Sequence, residues 1–318
     1  MSENGKRVIA LAGGVGGAKL AFGLQYLKSA DLTVVVNTAD DFSHLGLHIS
    51  PDLDTVMYTL AGVADKSQGW GIEGESWNFM AQIERLGGPS WFKLGDRDLA
   101  THTLRTTRLG GGISLSIVTN ELFESYGVST KVLPMSDDPV RTIVHSGDLS
   151  IAFQEYFVRL ACSPVVDRLE FRGAESAQMN GQLSQIEPGS VEAVVICPSN
   201  PYLSIDPILS IAGLREWLRS LGAPVIAVSP IVAGMAIKGP AAKIMRELGH
   251  EPSARTVAQH YRGLVDGLLI DTSDGKLRQD IEALGIAVDV TNTIMKSDAD
   301  RIALAEQALR FAHELSKR

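Results

Sequence analysis

The stretch NTADDFSHLGLHISPDLDT, Asn37 to Thr55, carries four carboxylates: Asp40, Asp41, Asp52 and Asp54. Shortly before it lies GGVGGAK. There, Gly13, Gly14, Gly16 and Gly17 allow a tight strand-to-helix turn whose backbone N–H groups face a ligand, and Lys19 adds a cation within the first helical turn. A phosphate received at such a turn is itself an anion, so carboxylates beside it repel it unless a cation stands between. Oxygen-only ligands near phosphate suit Mg2+, which takes one or two carboxylates and keeps several waters. The metal would turn repulsion into a bridge between protein and ligand. In SPDLDT, Asp52 and Asp54 stand directly before a helix, where one of them can serve as an ordinary N-cap. Two carboxylates across one leucine, beside a second pair, exceed what capping requires.

Other polar groups cluster more loosely. In WFKLGDRDLATHTLRT, Asp98, His102 and Arg105 fall at i, i+4 and i+7 and share one helix face, with Arg97 beside them. A salt-bridge ladder and a functional role for Arg97 both fit this spacing. The tryptophan-bearing segments GWGIE and SWFKL suggest a pocket wall for a flat ligand. MSDDPVRT reads equally well as a turn. CPSNPYLSIDPIL places Ser199, Asn200 and Ser204 between a buried strand and a helix, and SPIVAGMAIKGPAAK repeats the design with Lys238 and Gly239. Several donor-rich loops after strands point to a shared nucleotide cleft. His145, His250 and His260 are isolated, and Cys197 reads as a core thiol. No Ser-His-Asp or Cys-His arrangement stands out, which phosphoryl-type transfer does not need.

The elements that must hold these groups are legible. RVIALAGG is a buried strand, GAKLAFGLQYLKSA a helix, and LTVVVNT a second strand, which together make a βαβ unit. TVMYTLAGV reads as helical. KVLPMSD returns to a strand, and Ser146-Gly147-Asp148 signals a hairpin within VRTIVHSGDLSIAFQEYFVRL. VEAVVICPS, PVIAVSPIV, GLLIDTS and AVDVTN are further strands, alternating with helices at IDPILSIAGLREWLRSLG, AAKIMRELG, SARTVAQHYRGLV, KLRQDIEALG and DADRIALAEQALRFAHELSKR. The fold class is α/β, a doubly wound, mainly parallel sheet with a mostly helical insertion. The expected division is a nucleotide-binding core over 1–65 and 127–318, with 66–126 inserted and contributing to an acceptor site.

Composition narrows the function. The 318 residues are 45% apolar and 21% charged, with a formal charge of −8 and no basic stripe, which argues against a nucleic-acid partner. Two cysteines, Cys162 and Cys197, form neither a metal spacing nor a disulfide framework, so a reducing, cytoplasmic setting is expected. No leader pattern or membrane-length apolar run is visible, so no membrane partner is expected.

Read together, GGVGGAKL, NTADD, ISPDLDTVMYTLAG, WGIEGES, WFKLGDRDLATHTLRT, MSDDPVRT, FQEYFV, CPSNPYLSIDPIL and SPIVAGMAIKGPAAKIM resemble the 2-phospho-L-lactate transferase family of coenzyme F-420 biosynthesis, in order over most of the chain. The resemblance implies a Rossmann-like fold and a homodimer. It implies Mg2+-dependent transfer of a phosphorylated three-carbon acid (phospholactyl, phosphoenolpyruvyl or phosphoglyceryl) from its GDP-linked form to the deazaflavin alcohol Fo, with release of GMP. Carried over, Gly13, Gly14, Gly16, Gly17, Lys19, Ser199, Asn200, Ser204, Lys238 and Gly239 would hold the nucleotide. Asp40, Asp52 and Asp54 would hold Mg2+ and meet the Fo hydroxyl, one of them acting as general base, and Arg97 would sit near Fo or the phosphate. Three departures stand out: Ala39 and Asp206, where relatives often have glycine, and SPIVAG in place of a more glycine-rich loop. Asp206 is expected to affect which acid is accepted. The alternative is a non-catalytic nucleotide-sugar-binding regulator of the same superfamily. A nicotinamide dehydrogenase is disfavoured by the missing GxGxxG.

Overall fold

A computed structural model describes residues 7–27 and 31–317. The reading of residues 1–6 and the expected end of the first helix at residues 28–30 lie outside that description.

The βαβ unit is present. Strands β1 (Arg7–Ala12) and β2 (Asp31–Val36) pair in parallel and are joined by helix α1 (Gly14–Tyr26). Runs dominated by Val, Ile, Leu and Ala suit strands that are covered on both faces. After β2 the chain turns back in a short antiparallel hairpin, β3 (Phe42–His44) and β4 (Leu47–Ile49), which the sequence reading did not anticipate. Its loop residues Leu45 and Gly46 both have positive φ, as a two-residue hairpin loop requires. Helices α2 (Pro51–Leu60), α3 (Asn78–Arg85), α4 (Asp96–Gly110) and α5 (Leu115–Ser125) come next. Helix α5 lays Leu115, Val118, Leu122 and Phe123 into the same apolar cluster as side chains of β1 and β2, so it belongs to the layer covering the sheet.

Strand β5 (Lys131–Pro134) is the edge strand beside β2. The hairpin read from Ser146-Gly147-Asp148 joins β6 (Arg141–Ser146) to β7 (Leu149–Ala152), and β8 (Arg168–Arg172) completes a separate three-stranded sheet. Strand β9 (Val191–Ile196) then pairs with β1 on the side away from β2. Beyond it come α6 (Asp206–Leu209), α7 (Leu214–Ser220), β10 (Val225–Val228) and the small hairpin of β11 (Ile231–Val232) and β12 (Met235–Ala236). Next are α8 (Ala241–Glu247), α9 (Ala254–His260), β13 (Gly267–Asp271), α10 (Arg278–Glu282), β14 (Ala287–Thr291) and α11 (Asp298–Leu315).

The main sheet is seven-stranded, in the order β14-β13-β10-β9-β1-β2-β5, and every pairing in it is parallel. Winding runs outward from β1 through β2 to β5, then from β9 the other way, so the switch point lies between β1 and β9. Ligands bind at such a point, outside the carboxyl ends of the strands. Helix α11 crosses α1 closely: a Cβ at Gly23 would lie 2.1 Å from the Arg301 carbonyl oxygen.

Two expected elements are corrected. The single helix over IDPILSIAGLREWLRSLG is instead a π-helical turn (Pro201–Ile205), then α6, then α7, with Gly213 at φ 78 breaking the path. The end of the expected hairpin segment, around FQEYFV, is a second π-helical turn (Glu155–Arg159).

Candidate active site

The carboxyl ends of β1, β2, β9, β10 and β14 open into a cleft of about 710 Å3. Its floor is the glycine turn, where close approach rather than backbone conformation sets the residue type at three positions. A Cβ at Gly13 would lie 2.5 Å from an Asp52 carboxylate oxygen, one at Gly16 2.2 Å from the Pro198 carbonyl oxygen, and one at Gly17 2.5 Å from Ser199 Oγ. The turn's first donors are already engaged: Gly14 N–H donates to Asp52 Oδ1 (2.8 Å) and Gly13 N–H to Ser199 Oγ (3.1 Å). Ser199 Oγ donates in return to the Gly13 carbonyl at 2.8 Å, so this side chain clasps β9 to the turn. The rest of the turn, with Val15, Gly16 and Lys19, lines the cleft.

The four aspartates divide differently from the pairs in which the sequence presents them. Asp40 and Asp52 line the cleft. Asp41 turns away, its Oδ2 accepting from Ser50 Oγ at 2.8 Å and lying 3.0 Å from His48 Nε2. Asp54 also turns away. Helix α2 begins at Pro51, with Ser50 in the cap position, so neither Asp52 nor Asp54 is the N-cap; both lie in the first turn. Residues two apart on an α-helix point to nearly opposite sides, about 200° round. The structure therefore does not bring Asp54 into the cleft with Asp40 and Asp52, where the resemblance had grouped the three.

Asp54 instead anchors a buried ionic network. Both its oxygens accept from the Arg105 guanidinium, one at 3.1 Å, and Arg105 is only 2% exposed. Burial works against the Arg105 charge, but Asp54 overrides it and the guanidinium's pKa rises. His102 Nδ1 lies 3.2 Å from Arg105 Nη1, and its Nε2 lies 3.2 Å from Asp98, which also accepts from Tyr58 Oη at 2.6 Å. The shared face of Asp98, His102 and Arg105 thus packs inward. Asp54, Asp98 and His102 offer ligand atoms within 4.8 Å of one another, but the guanidinium already engages both Asp54 oxygens. Arg97 is one residue from Asp98, about 100° round the helix, and points outward. It is exposed, donates to the Glu73 carbonyl at 3.1 Å, and does not line the cleft with Asp40 and Asp52.

Asp40 and Asp52 meet the requirements for a divalent cation. Asp40 is buried with Oδ1 lacking a hydrogen-bond partner. Burial, then the neighbouring Asp52 charge, raises its pKa well above the ordinary carboxylate value. Burial pushes Asp52 up to about 6, against the hydrogen bonds from Asn37 Nδ2 and Gly14 N–H. Two buried oxygen donors with raised pKa values, one an orphan, are what a hard cation relieves.

Cationic and donor groups line the opposite side. Lys19 Nζ donates to the Met295 carbonyl at 2.9 Å, and burial, then Arg301 and Lys238, lowers its pKa. Lys238 and Gly239 line the cleft, with Lys238 Nζ 2.2 Å from where a Cβ on Gly69 would lie. Asn200 uses Oδ1 to cap the π-helical turn at Tyr202 and Leu203 N–H, leaving Nδ2 buried, unpartnered and at the cleft. Ser204 reaches the cleft from the same turn.

The wall is aromatic. Trp70 and Trp91, from the two segments read as a wall, line the cleft together with Phe92, Phe153 and Phe157. The unanticipated β3–β4 hairpin supports it: His44, whose pKa burial lowers, packs edge-on to Trp91 at 5.1 Å. Phe153, Gln154 and Phe157, and the loop Thr293–Met295 after β14, were not singled out in the sequence. FQEYFV was a signal for the first group; the second has none beyond its place after a strand.

Remaining expectations sort plainly. Asp206 pairs with His260 at 2.8 Å and does not line the cleft, and His260 is not isolated. His145 lies 2.8 Å from Glu170. Asp137 accepts from Ser116 N–H at 2.7 Å and Asp138 from Gln178 N–H at 2.8 Å, so MSDDP is a structural turn. Cys197 is a buried thiol whose pKa burial raises. Among the described residues no helix is long and apolar enough to cross a membrane.

Comparison with known proteins agrees with this geometry. The family model described as 2-phospho-L-lactate transferase CofD matches residues 8–309. A phosphoenolpyruvate transferase of Streptomyces griseus is 43% identical, over 97% of this chain and 99% of its own. A 2-phospho-L-lactate transferase of Methanococcoides burtonii is 39% identical, over 91% of this chain and 94% of its own. A crystal structure of a UPF0052 family member from Bacillus halodurans superposes with a TM-score of 0.63 at 16% identity, covering 96% of this chain and 98% of that one, a likeness of fold. The chain is a transferase of the 2-phospho-L-lactate transferase CofD family.

Proposed function

We propose that this chain transfers a phosphoenolpyruvyl group from its GDP-activated form to Fo, with Mg2+, forming a phosphodiester and releasing GMP. The observation that carries this reading is the Asp40–Asp52 pair, buried at the switch point between the glycine turn and the aromatic wall. Enolpyruvate is the preferred acid because the 43%-identical relative is named for it, while lactate is named for the 39%-identical one.

In this reading the Fo hydroxyl oxygen attacks the phosphorus that bears the acid. A new P–O bond forms, the P–O bond to the GMP phosphate breaks, and the hydroxyl proton leaves. A carboxylate oxygen of the Asp40–Asp52 pair that the cation leaves free takes that proton. Lys19, Lys238 and Asn200 Nδ2 hold the diphosphate and steady the leaving GMP, and the tryptophan wall takes the flat acceptor. Asp40 and Asp52 would hold the Mg2+, which when bound offsets phosphate charge.

The test is turnover of purified protein with Fo and the GDP-linked enolpyruvate, lactate and glycerate donors offered separately, with and without Mg2+, products read by mass. The enolpyruvyl product, formed only with metal, is expected at the highest kcat/KM. Asp40→Asn keeps the shape and removes the charge; it should lower kcat by roughly 100-fold or more without lowering the melting temperature. No product from any donor would overturn the reading.

A further inference from the structure

Gln154 lines the cleft and is only 6% exposed, yet among the described residues its side-chain amide has no hydrogen-bond partner. With no protein partner and a place on the cleft lining, the amide is free to bond a ligand there in exchange for water. Its setting is stiff. Gln154 lies two residues beyond β7, in helical backbone at the start of the π-helical turn Glu155–Arg159, whose Tyr156 is fully buried and accepts from Lys243 Nζ at 3.3 Å. On either side in sequence stand Phe153 and Phe157, whose rings stack at 5.4 Å and 17°. Both line the cleft, and Phe157 is 39% exposed.

A primary amide presents an N–H donor and a C=O acceptor side by side, and an aromatic platform takes a flat ring. The complement of the two together is a planar heterocycle with an acceptor and a donor on adjacent edge atoms. We propose that Gln154 is a specificity-determining residue that reads the edge of such a ring, a carbonyl beside a ring N–H, held against the Phe153–Phe157 stack. The inference rests on the transferase reading, whose two ligands both carry this edge: guanine as a lactam, the deazaflavin as an imide. An apolar residue of similar length would bind the same flat ring without discriminating its edge.

The test measures affinities of GDP, of Fo, and of each ligand methylated on the ring nitrogen of that edge, for the native protein and Gln154→Met. For one of the two ligands, methylation should weaken binding to the native protein about tenfold and to the variant less than twofold, the signature of a direct contact. Coupling confined to GDP identifies guanine as the ring read, and coupling confined to Fo identifies the deazaflavin. In turnover, KM for that ligand alone should rise about tenfold while kcat stays within about twofold, a split that a general packing defect would not produce. Native protein indifferent to both methyl groups overturns the proposal without any variant, as does an equal methylation cost in native and variant protein. If the native protein turns over but shows no coupling, Gln154 loses this role and the transferase reading stands. If the native protein binds neither ligand, that reading falls and this one with it.

Discussion

Arg105 holds both carboxylate oxygens of Asp54, and through them α4 braces the first turn of α2, the turn that carries Asp52 into the cleft. Removing one partner of a buried pair leaves an unpaired charge. Arg105→Met should therefore cost about 3–5 kcal/mol of stability. Replacing both partners, Asp54→Leu with Arg105→Met, should recover most of that loss. Urea unfolding of the two single variants and the double variant measures it; a double variant no more stable than Arg105→Met would contradict the pairing.

Asp52 sets a pH dependence whose sign is fixed. Its pKa is about 6 in the folded protein against 3.8 as a free group. Between those values the folded state keeps a proton that the unfolded chain has lost, so stability falls as pH rises through the window. The difference corresponds to about 3 kcal/mol, and Asp40, also raised, acts in the same direction. Under the proposed function, Mg2+ would engage the deprotonated pair in the folded state, so it should restore stability above the window and add little below it. Melting temperatures at about pH 5 and about pH 7.5, with chelator and then with Mg2+, check both halves. In Asp40→Asn the fall should be shallower.

Gly16 faces backbone at a distance no Cβ can tolerate, 2.2 Å from the Pro198 carbonyl oxygen. Gly16→Ala must push the start of α1 off the end of β9, at an expected cost of about 1–3 kcal/mol. The same shift disturbs the floor of the cleft, so KM for the GDP-linked donor should rise as the melting temperature drops. An alanine variant with native stability and KM would show that the two strand ends separate freely.

The two-residue loop between β11 and β12 has both residues left-handed, Ala233 at φ 49 and Gly234 at φ 76. Ala233 N–H is held in place by Asp274 at 3.0 Å. This is the SPIVAG departure seen in the sequence. Alanine there costs roughly 1 kcal/mol of strain, partly offset by its lower freedom in the unfolded chain. Ala233→Gly should raise stability slightly, by less than about 1 kcal/mol, and Ala233→Val should lower it. Thermal melts of the pair decide. Ala39, the other small departure, has no positive φ and fits its site without strain.

All seven main-sheet strands were legible because each is an apolar run bounded by turn residues, and the glycine turn was legible because nothing else concentrates glycine after a strand. The π-helical turns were not, since they share composition with ordinary helix and only the hydrogen-bond ladder distinguishes them. The roles of Asp52 and Asp54 depended on where α2 starts: moved from the cap position into the first turn, two neighbours on paper face opposite ways. Arg97 stays off the cleft for the same angular reason, one step round from Asp98. Trp70, Trp91 and Phe92 were readable from the tryptophan-bearing segments; Phe153 and Phe157 came from the turn after β7, which periodicity assigns only to packing.

The two π-helical turns have an evolutionary consequence. Such a turn closes its loop with one residue more than an α-helical turn, as in Leu160 N–H to the Glu155 carbonyl and Ile205 N–H to the Asn200 carbonyl. Losing that residue would rotate the downstream side chains by about 100°, carrying Ser204 or Val158 off the cleft while the surrounding fold persists. Ligand preference in this scaffold can therefore shift by single-codon insertion or deletion at two defined places, a mutational route that alignments scored by substitution alone would overlook.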